Sequence, residues 1–582
     1  RSRVFFTRVD GRDAIAALVK NSDSLRLGFD IPITRFLDNA VKALMLGLPA
    51  SLGQLGEALG LPEEQAKLKD GRRLIAKFCK PRKVSKNNAE PRWNSENAPE
   101  DWEKFKEYAI QDVTAMRILW HKMPNFNYKG SELALWYLDQ TINERGLPLD
   151  IEALEAAQVL ITEELKIFDD RVYALTDGFI SSANQRNKVL QWIKLQGVTL
   201  TGLTKVDVSE ALETNLSVKV RDLLEIRQES SKTSTAKIKK MLACACKDGR
   251  VRGTLQFYGA SRTGRWAGRL IQIQNFSRGN LKDVETAIST ILTGITPIMY
   301  DSVMDTISSC LRGFIAAPKG KKFVVSDLAG IEARVLPFLA HDEAILDIFR
   351  NGDDIYKYAA SGIYNVSIAD VTKDQRFIGK IAVLALGYQG GKNAFLSMAK
   401  VYGIDLPEDK AQSIVNDWRS SNKKIMTLWK DVAVAARNAI NTGKTQTVKS
   451  LKFRVQDKYL LIKLPSGRCL SYPQPNVSNE KITFMGVDQY SRKWKRQDTY
   501  GGKLVENITQ AVARDILAAN MPIIEAKGYQ IIASVHDELI CEVADTETHT
   551  PEELEKLMCI VPEWAEGLPL DAEGEKMYRY KK

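Results

Sequence analysis

Residues 533–543, ASVHDELICEV, place two adjacent carboxylates, Asp537 and Glu538, inside an apolar run that is typical of a buried strand. An unpaired charge in such surroundings is costly, so each acid needs compensation. The sequence leaves three sources open: an Arg or Lys from elsewhere in the chain, a bound metal ion, or solvent on a strand that is only half covered. The function of this segment depends on which of them applies.

A third acid, Asp327, has a similar setting in residues 321–340, KKFVVSDLAGIEARVLPFLA. The apolar run at 323–325 predicts a buried strand that ends at Asp327, and apolar residues then recur at helical spacing. If the fold brings Asp327 and Asp537 together, a divalent ion is the simplest relief of their repulsion, and oxygen ligands without Cys or His favour Mg²⁺. The alternative is two unrelated acids, one capping a helix and one facing solvent.

The composition narrows the class of protein. The chain of 582 residues is 44% hydrophobic and 27% charged, which is ordinary for a folded protein. Its formal net charge of +11 favours a polyanionic partner, nucleic acid before a membrane surface. No apolar run is long enough to cross a membrane, and seven scattered Cys with four His do not indicate a Cys/His metal site. We therefore expect a cytoplasmic protein without membrane attachment.

Residues 373–395, KDQRFIGKIAVLALGYQGGKNAF, carry a repeated spacing of four. Arg376, Lys380, Leu384 and Tyr388 would share one slowly turning face of a helix. The two cations suit a triphosphate, and Tyr388 could stack on a base or close a pocket. The glycines that follow would let this aromatic end hinge. An ordinary basic helix face is the alternative, but it leaves Tyr388 unexplained.

Planar hydrogen-bond donors are concentrated in residues 258–275, YGASRTGRWAGRLIQIQN. Arg265, Gln274 and Asn275 suit phosphates and the minor-groove acceptors of a duplex, which are alike for all Watson–Crick pairs. A Lys-rich stretch precedes them and includes Lys237 and Lys240. Lys beside Ser and Thr suits phosphate contacts, although a solvated helix face is the simpler interpretation of this stretch alone.

Taken in order, these segments resemble the motifs of the family A DNA polymerases, and GKIAVLALGYQGGKNAF is most similar to phage and prophage members. The resemblance extends over about residues 130–582. It implies that Asp327 and Asp537 bind two Mg²⁺ ions, for which Mn²⁺ could substitute, and that Glu538 supports this catalytic site from the side. It also implies that His536 lies near the primer terminus.

The same resemblance implies roles around the nucleotide and the duplex. Arg376 and Lys380 would bind the incoming triphosphate, and Lys380 would also protonate the leaving pyrophosphate. Glu332, held by Tyr388, would fill the space that a ribose 2′-hydroxyl needs. Duplex contacts are implied for Arg265 and Gln510 in the minor groove of the nascent pair, and for Lys237 and Lys240 in the thumb.

One position departs from the bacterial repair enzymes of this family. They carry an aromatic residue beside the incoming sugar, where this chain has Leu384. Because Leu offers no hydroxyl to the sugar, we expect weak acceptance of dideoxynucleotides.

The resemblance predicts an α+β protein with the right-hand polymerase fold, preceded by an incomplete RNase H-like 3′–5′ exonuclease domain. The expected segments are an exonuclease-like domain at 1–125, thumb and connecting helices at 126–260, a first part of the palm at 261–340, fingers with inserted strands at 341–500, and a second part of the palm at 501–582.

The exonuclease-like segment lacks part of its expected chemistry. Residues 105–120, FKEYAIQDVTAMRILW, resemble the last exonuclease motif and place Tyr108 and Asp112 on one helix face. The first motif, Asp-x-Glu, has no convincing match, since FDIPIT at 29–34 offers Asp30 but has Pro32 where the Glu would be. We therefore expect no proofreading from this sequence. Degradation of a mismatched 3′ end in magnesium, abolished by a change of Asp112, would contradict this expectation.

The function implied by the resemblance is template-directed extension of a DNA primer with dNTPs in phage genome replication. The expected partners are primer–template DNA and dNTPs, with room for accessory proteins of replication, and the expected state is a monomer. Two alternatives stay open. A single-subunit RNA polymerase must admit the 2′-hydroxyl, which Glu332 argues against. A nucleic-acid-binding module without activity would not need the acids and cations that the motifs supply.

Overall fold

The computed structural model describes residues 4–6, 32–65, 70–82, 84, 90–260, 262–276 and 279–581. Its centre is a four-stranded antiparallel sheet, whose strands in spatial order are Gln530–Val535, Glu538–Ala544, Lys321–Leu328 and Ala572–Met577. The strand Lys321–Leu328 is therefore interior, and the helix Ile331–Ala340 follows it. The predicted transition from strand to helix at Asp327 is confirmed.

Alternating side chains on this sheet face two different cores. Val324 packs in the core that includes the long helix Gly501–Ala526. Its neighbour Val325 packs in a second core, formed largely by helices that precede the sheet in the chain. Since side chains two residues apart point the same way, Asp327 lies on the face of the second core.

Helices and short strands complete both sides of the sheet. The helices of the second core are Ile151–Leu175, Arg186–Leu195, Lys205–Leu212, Val218–Ser230, Thr233–Cys244, Val284–Thr293 and Val303–Ser309, and the short helix Thr296–Met299 lies between the last two in the chain. The helices after the interior strand are Ile331–Ala340, Glu343–Arg350, Ile355–Tyr364, Lys373–Leu386, Lys392–Val401, Glu408–Ser421 and Lys423–Thr442. Two short antiparallel pairs join Leu147–Pro148 to Arg250–Val251 and Leu255–Ala260 to Arg265–Gly268.

Along the chain, two further antiparallel sheets follow the helix Lys423–Thr442 and precede the long helix Gly501–Ala526. The first has the strand order Cys469–Pro473, Tyr459–Lys463, Leu451–Gln456 and Gln446–Val448. The second has the order Asn476–Ser478, Lys481–Val487 and Trp494–Thr499. The strands that the sequence predicts within 341–500 are thus present.

The N-terminal part contains a parallel pair of strands and several helices. The strands are Val4–Phe6 and Phe36–Asp38, and the helices are Asn39–Met45, Leu52–Ala58, Gly71–Cys79, Pro99–Lys122 and Gly130–Arg145. Asp30, the acid considered for the first exonuclease motif, lies outside the described residues. Across the described ranges, no helix has the length and apolarity that a membrane crossing requires.

The division into exonuclease-like, thumb, palm and fingers segments stays a prediction. Position 500 directly precedes the long helix Gly501–Ala526, which suits a boundary. Position 260 instead falls between the paired strands Leu255–Ala260 and Arg265–Gly268. A thumb boundary at this position would divide one hairpin between two domains.

A buried charge network holds that hairpin against the long helix. Arg468, in the turn between the strands Tyr459–Lys463 and Cys469–Pro473, donates from Nε to Oδ1 of Asp515 at 2.6 Å, and both side chains are almost fully buried. Its Nη1 donates to the hydroxyl of Tyr258 at 2.6 Å, and its Nη2 donates to the carbonyl oxygens of Thr263 at 2.9 Å and Ala511 at 3.0 Å. One guanidinium therefore joins the inserted strands, the hairpin and the long helix.

We expect Arg468→Met to destabilise the protein by about 3–5 kcal/mol, because it leaves the carboxylate of Asp515 buried with much of its compensation removed. The midpoint of thermal unfolding measures the effect. A matched control is Lys503→Ala, which removes a partly exposed ion pair with Glu506 on the same helix and should cost less than about 1 kcal/mol. Equal shifts for the two variants would show that the network does not stabilise the fold.

Candidate functional site

The acids of the two sequence motifs meet at one end of the central sheet. Glu538 lies directly opposite Asp327 in the strand pairing, and the carbonyl oxygen of Asp537 accepts from the amide of Leu328 at 3.2 Å. His536 and Asp537 form the turn between two strands, with His536 in the left-handed region at φ 58°. The prediction that Asp537 lies within a strand is therefore wrong, because the chain reverses at this point.

Arg265 connects Asp537 to Glu332 and, through it, to Tyr388. Its Nη2 donates to Oε1 of Glu332 at 2.7 Å and to Oδ1 of Asp537 at 3.2 Å. The other carboxylate oxygen of Glu332 accepts from the hydroxyl of Tyr388 at 3.0 Å. Four residues that are distant in sequence thus form one continuous hydrogen-bonded chain. In this structure, the charge that compensates Asp537 is therefore that of Arg265.

The electrostatics of the site follow from this arrangement. Burial raises the pKa of Asp537, Arg265 opposes that shift, and the negative charges of Glu332 and Asp327 add to it. Burial and the charge of Glu332 raise the pKa of Tyr388 well above its ordinary value. Tyr388 is therefore a neutral donor to Glu332 at physiological pH.

The carboxylates of Asp327 and Asp537 are a donor set that suits magnesium. Burial, with the neighbouring carboxylates, raises the pKa of Asp537, and a bound divalent cation would favour its charged form. In the part of the chain that the structure describes, no group of three or more His, Cys, Asp or Glu side chains is arranged to hold a metal ion. The fit depends on this pair, and a cation would compete with Arg265 for Asp537.

The helix Lys373–Leu386 carries three of the predicted nucleotide-binding side chains. Arg376 donates to the carboxylate of Asp354, and the ammonium of Lys380 lies 5.5 Å from the centre of the Tyr402 ring. Leu384 is 43% exposed and lines a cleft together with Glu332 and Tyr388. Arg376 is thus already paired with an acid, whereas Lys380 and Leu384 line an accessible face.

Tyr388 lies two residues beyond the end of this helix rather than on it. The indole of Trp429 donates to the carbonyl oxygen of Gly387 at 2.9 Å, and Arg419 donates to that of Gly390 at 3.1 Å. The side chain of Gln389 accepts from the amide of Gly502 at 2.9 Å. The predicted helical position of Tyr388 is therefore wrong, and the segment around it is held by partners from distant helices.

The predicted duplex contacts have different settings. Gln274 donates to the carbonyl oxygen of Ser534 at 3.3 Å, and exposed Asn275 donates to Gln272 at 2.9 Å. Gln510 is half-buried on the long helix, and His536 is exposed at its turn. Through Ser534, Gln274 contacts the strand Gln530–Val535, which leads directly into the turn that carries His536.

The two lysines predicted for the thumb are not equivalent. Lys237 donates to the carbonyl oxygen of Ile271 at 3.0 Å and lies 5.5 Å from the centre of the Phe276 ring. Lys240 is exposed. Lys237 therefore braces the segment that carries Gln274, and Lys240 is the better placed of the two for a phosphate contact. Their binding of DNA stays a prediction.

The exonuclease pair lies on the helix Pro99–Lys122. Tyr108 is 4% exposed and packs in an aromatic cluster with Phe78 and Phe105. A ring built into a core has little freedom to bind a displaced primer end. The absence of proofreading stays a prediction, since nothing in this geometry tests it.

Sequence patterns missed two groups that shape the site. Tyr580, near the C-terminus, donates to Oε1 of Glu538 at 2.7 Å. Trp429 fixes the carbonyl before Tyr388, as described above. Neither residue belongs to a recognisable motif, and only the hydrophobic spacing of the helix Lys423–Thr442 marks Trp429 as buried.

Comparisons with known proteins agree with this geometry. The model of DNA polymerase family A matches residues 151–575. The DNA polymerase of Bacillus phage SP02 is 38% identical over 559 residues, which span 93% of this chain and 85% of that protein. DNA polymerase I of Aquifex aeolicus (strain VF5) is 30% identical over 122 residues, 21% of each chain.

A solved structure shares the fold. It is the POL domain of Pol1 from M. smegmatis in complex with DNA primer-template and dNTP. It matches with a TM-score of 0.56 and 16% identity, covering 94% of this chain and 82% of the other. This shared fold agrees with the family match over residues 151–575 and with the similarity to the phage polymerase. The chain belongs to DNA polymerase family A.

Proposed function

We propose that this DNA-directed DNA polymerase extends a primer at the centre formed by Asp327 and Asp537, as a replicative enzyme of a bacteriophage. The observation that carries the proposal is the hydrogen-bonded chain from Tyr388 through Glu332 and Arg265 to Asp537. It joins the proposed nucleotide-selecting side chains to the proposed catalytic acid. The similarity to the polymerase of Bacillus phage SP02 supports a role in phage genome replication in the bacterial cytoplasm.

Family A polymerases use divalent metal ions, and Asp327 and Asp537 would hold them here. When bound, the metal supplies activation of the attacking 3′-hydroxyl and stabilisation of the leaving pyrophosphate. Lys380 would neutralise and protonate that pyrophosphate. Arg376 would bind the triphosphate, in competition with the carboxylate of Asp354 that it contacts in this structure. Nucleotide binding should therefore loosen the pair between Arg376 and Asp354.

Selection of the correct sugar would depend on Glu332. Its two carboxylate oxygens are held from opposite sides by Arg265 and Tyr388. A side chain fixed at both oxygens cannot move aside easily for a 2′-hydroxyl. The two hydrogen bonds of Glu332 therefore support the predicted exclusion of ribonucleotides.

Binding of the primer–template would use several groups around the acids. Arg265 and Gln510 would contact the minor groove of the nascent pair, and His536 would lie near the primer terminus. The segment that carries Gln274 and Asn275 would continue this contact along the duplex. The M. smegmatis structure, a complex with DNA primer-template and dNTP, supports both classes of ligand for this chain.

The test is primer extension on a DNA template with dNTPs or with rNTPs as the only substrates. We expect extension in magnesium or manganese with dNTPs and little with rNTPs. Equal use of rNTPs would favour a single-subunit RNA polymerase. Duplex binding without extension in either mixture would favour a binding module that has lost activity.

Leu384 offers a separate prediction on sugar recognition. Leu384→Tyr should raise incorporation of dideoxynucleotides relative to dNTPs by roughly five- to ten-fold. A tyrosine hydroxyl could supply the hydrogen bond that the missing 3′-hydroxyl leaves open, and one such bond contributes about 1 kcal/mol. Competition between dideoxy and deoxy substrates in primer extension measures the ratio. Leu384→Met is the control, and equal ratios for both variants would contradict the role of Leu384.

A further inference from the structure

The carboxylate of Glu538 is bound by a residue from the C-terminal end of the described chain. The hydroxyl of Tyr580 donates to Oε1 of Glu538 at 2.7 Å. Both residues are buried, with Tyr580 1% and Glu538 5% exposed. A buried acid keeps its charge only where polar partners compensate for lost solvent, and this hydroxyl is one of them. Glu538 itself lies opposite Asp327 in the strand pairing.

Tyr580 is held in place by its backbone and by the residue before it. Its amide donates to the carbonyl oxygen of Ile315 at 2.9 Å. Arg579 donates to Oδ2 of Asp150 at 2.6 Å and to the carbonyl oxygen of Gly313 at 3.0 Å. The position of the hydroxyl is therefore set by Asp150, which caps the helix Ile151–Leu175, and by the backbone of residues 313–315.

Arg312 extends this contact toward the proposed duplex-binding segment. Its Nη1 lies 3.5 Å from the hydroxyl of Tyr580, and its Nη2 donates to the carbonyl oxygen of Phe276 at 3.0 Å. Phe276 follows the short turn Ile273–Asn275, which carries Gln274. The hydroxyl of Tyr580 thus lies between Glu538 and the segment expected to hold the primer–template.

We propose that Tyr580 is a positioning residue, which orients the carboxylate of Glu538 beside Asp327. Through Arg312 it also couples this carboxylate to residues 273–276, which include Gln274. This inference rests on the proposed function, because it concerns the same catalytic centre. A neutral hydroxyl fixes the direction of the carboxylate without cancelling its charge. An Arg or Lys at the same place would neutralise the acid and weaken its effect on a cation.

The alternative is a structural role, in which the bond only helps to attach the C-terminal segment. The two roles differ in what they change. Loss of attachment lowers stability and affects every function in proportion. Loss of orientation slows the chemical step and raises the requirement for magnesium, while binding of the duplex is retained.

The experiment compares Tyr580→Phe with the wild type in single-turnover incorporation of one nucleotide at saturating dNTP. We expect the rate to fall roughly ten- to a hundred-fold, as is typical when a residue that orients an active-site carboxylate is lost. The magnesium concentration for half-maximal rate should rise. The dissociation constant for primer–template, measured by fluorescence anisotropy, should stay within about two-fold of the wild-type value.

Tyr578→Phe is the matched control, because it also removes a tyrosine hydroxyl bound to an acid in the same segment. Its hydroxyl donates to Oδ2 of Asp545 at 3.0 Å, and Tyr578 is 48% exposed. This variant should retain the wild-type rate and magnesium dependence. A matching loss in Tyr578→Phe would assign the effect to attachment of the segment and overturn the proposal.

A double-mutant cycle with Glu538→Gln tests whether Tyr580 acts through Glu538. If it does, Tyr580→Phe should add little further loss in the Glu538→Gln background. A full additional loss there, or wild-type rates for Tyr580→Phe alone, would overturn the proposal. If the phenylalanine variant folds poorly, Arg312→Lys provides the second measurement and should also raise the magnesium requirement. Absence of extension by the wild type would instead contradict the proposed function.

Discussion

Asp327→Asn should abolish primer extension while leaving the binding of primer–template unchanged. Asparagine has nearly the same shape but no charge, so it removes a carboxylate from the proposed metal site without disturbing the sheet. Losing several kcal/mol of transition-state stabilisation slows a reaction roughly a thousand-fold or more, since each 1.4 kcal/mol is a factor of ten. Single-turnover extension measures the rate, and anisotropy with a labelled duplex measures binding.

The companion variants make this test specific. Asp537→Asn should be as inactive as Asp327→Asn, whereas Glu538→Gln should only impair extension. Glu575→Gln changes an exposed acid on the same sheet and should retain activity. Equal inactivity of the Asp537 and Glu538 variants would contradict the division of roles between them. Substantial activity of Asp327→Asn would show that the catalytic centre lies elsewhere.

Glu332→Ala should lower the preference for dNTPs over rNTPs by about a hundred-fold. The carboxylate is fixed at one oxygen by Arg265 and at the other by Tyr388, and its removal opens space for a 2′-hydroxyl. A pocket that excludes a small group by its shape discriminates by about ten- to two-hundred-fold. The measurement is the ratio of kcat/KM for one dNTP and its ribonucleotide.

Tyr388→Phe is the graded control for this prediction. It removes only the hydroxyl that holds Glu332 and leaves the ring in place, so the preference should fall by about ten-fold or less. An unchanged ratio in Glu332→Ala would mean that another side chain excludes the 2′-hydroxyl.

The sequence predicted the position of Asp327 well, because an apolar run followed by helical spacing is a local pattern. It predicted Asp537 less well. The segment 533–543 contains no Gly, Asn or Pro to signal a turn, and the chain reverses with His536 in the left-handed region. The apolar residues on both sides of the turn belong to two adjacent strands and therefore look like one.

Tyr388 shows a different limit of sequence patterns. The spacing of four from Arg376 extends through Tyr388, but the helix ends at Leu386. The carbonyl of Gly387 then bonds the indole of Trp429, which is distant in sequence. Likewise, no local pattern could reveal that Arg265 pairs with Asp537 or that Tyr580 binds Glu538. These contacts depend on tertiary structure alone.

The guanidinium of Arg468 has a consequence for protein engineering. Arg468 lies in the turn between two of the inserted strands, yet it bonds the carbonyl of Thr263, two residues before Arg265. The inserted strands therefore help to position Arg265, the residue that would contact the nascent base pair. A chimera that exchanges these strands with those of a relative should lose accuracy of incorporation unless the hairpin Leu255–Gly268 is exchanged with them. Grafts between such polymerases should be designed with both pieces together.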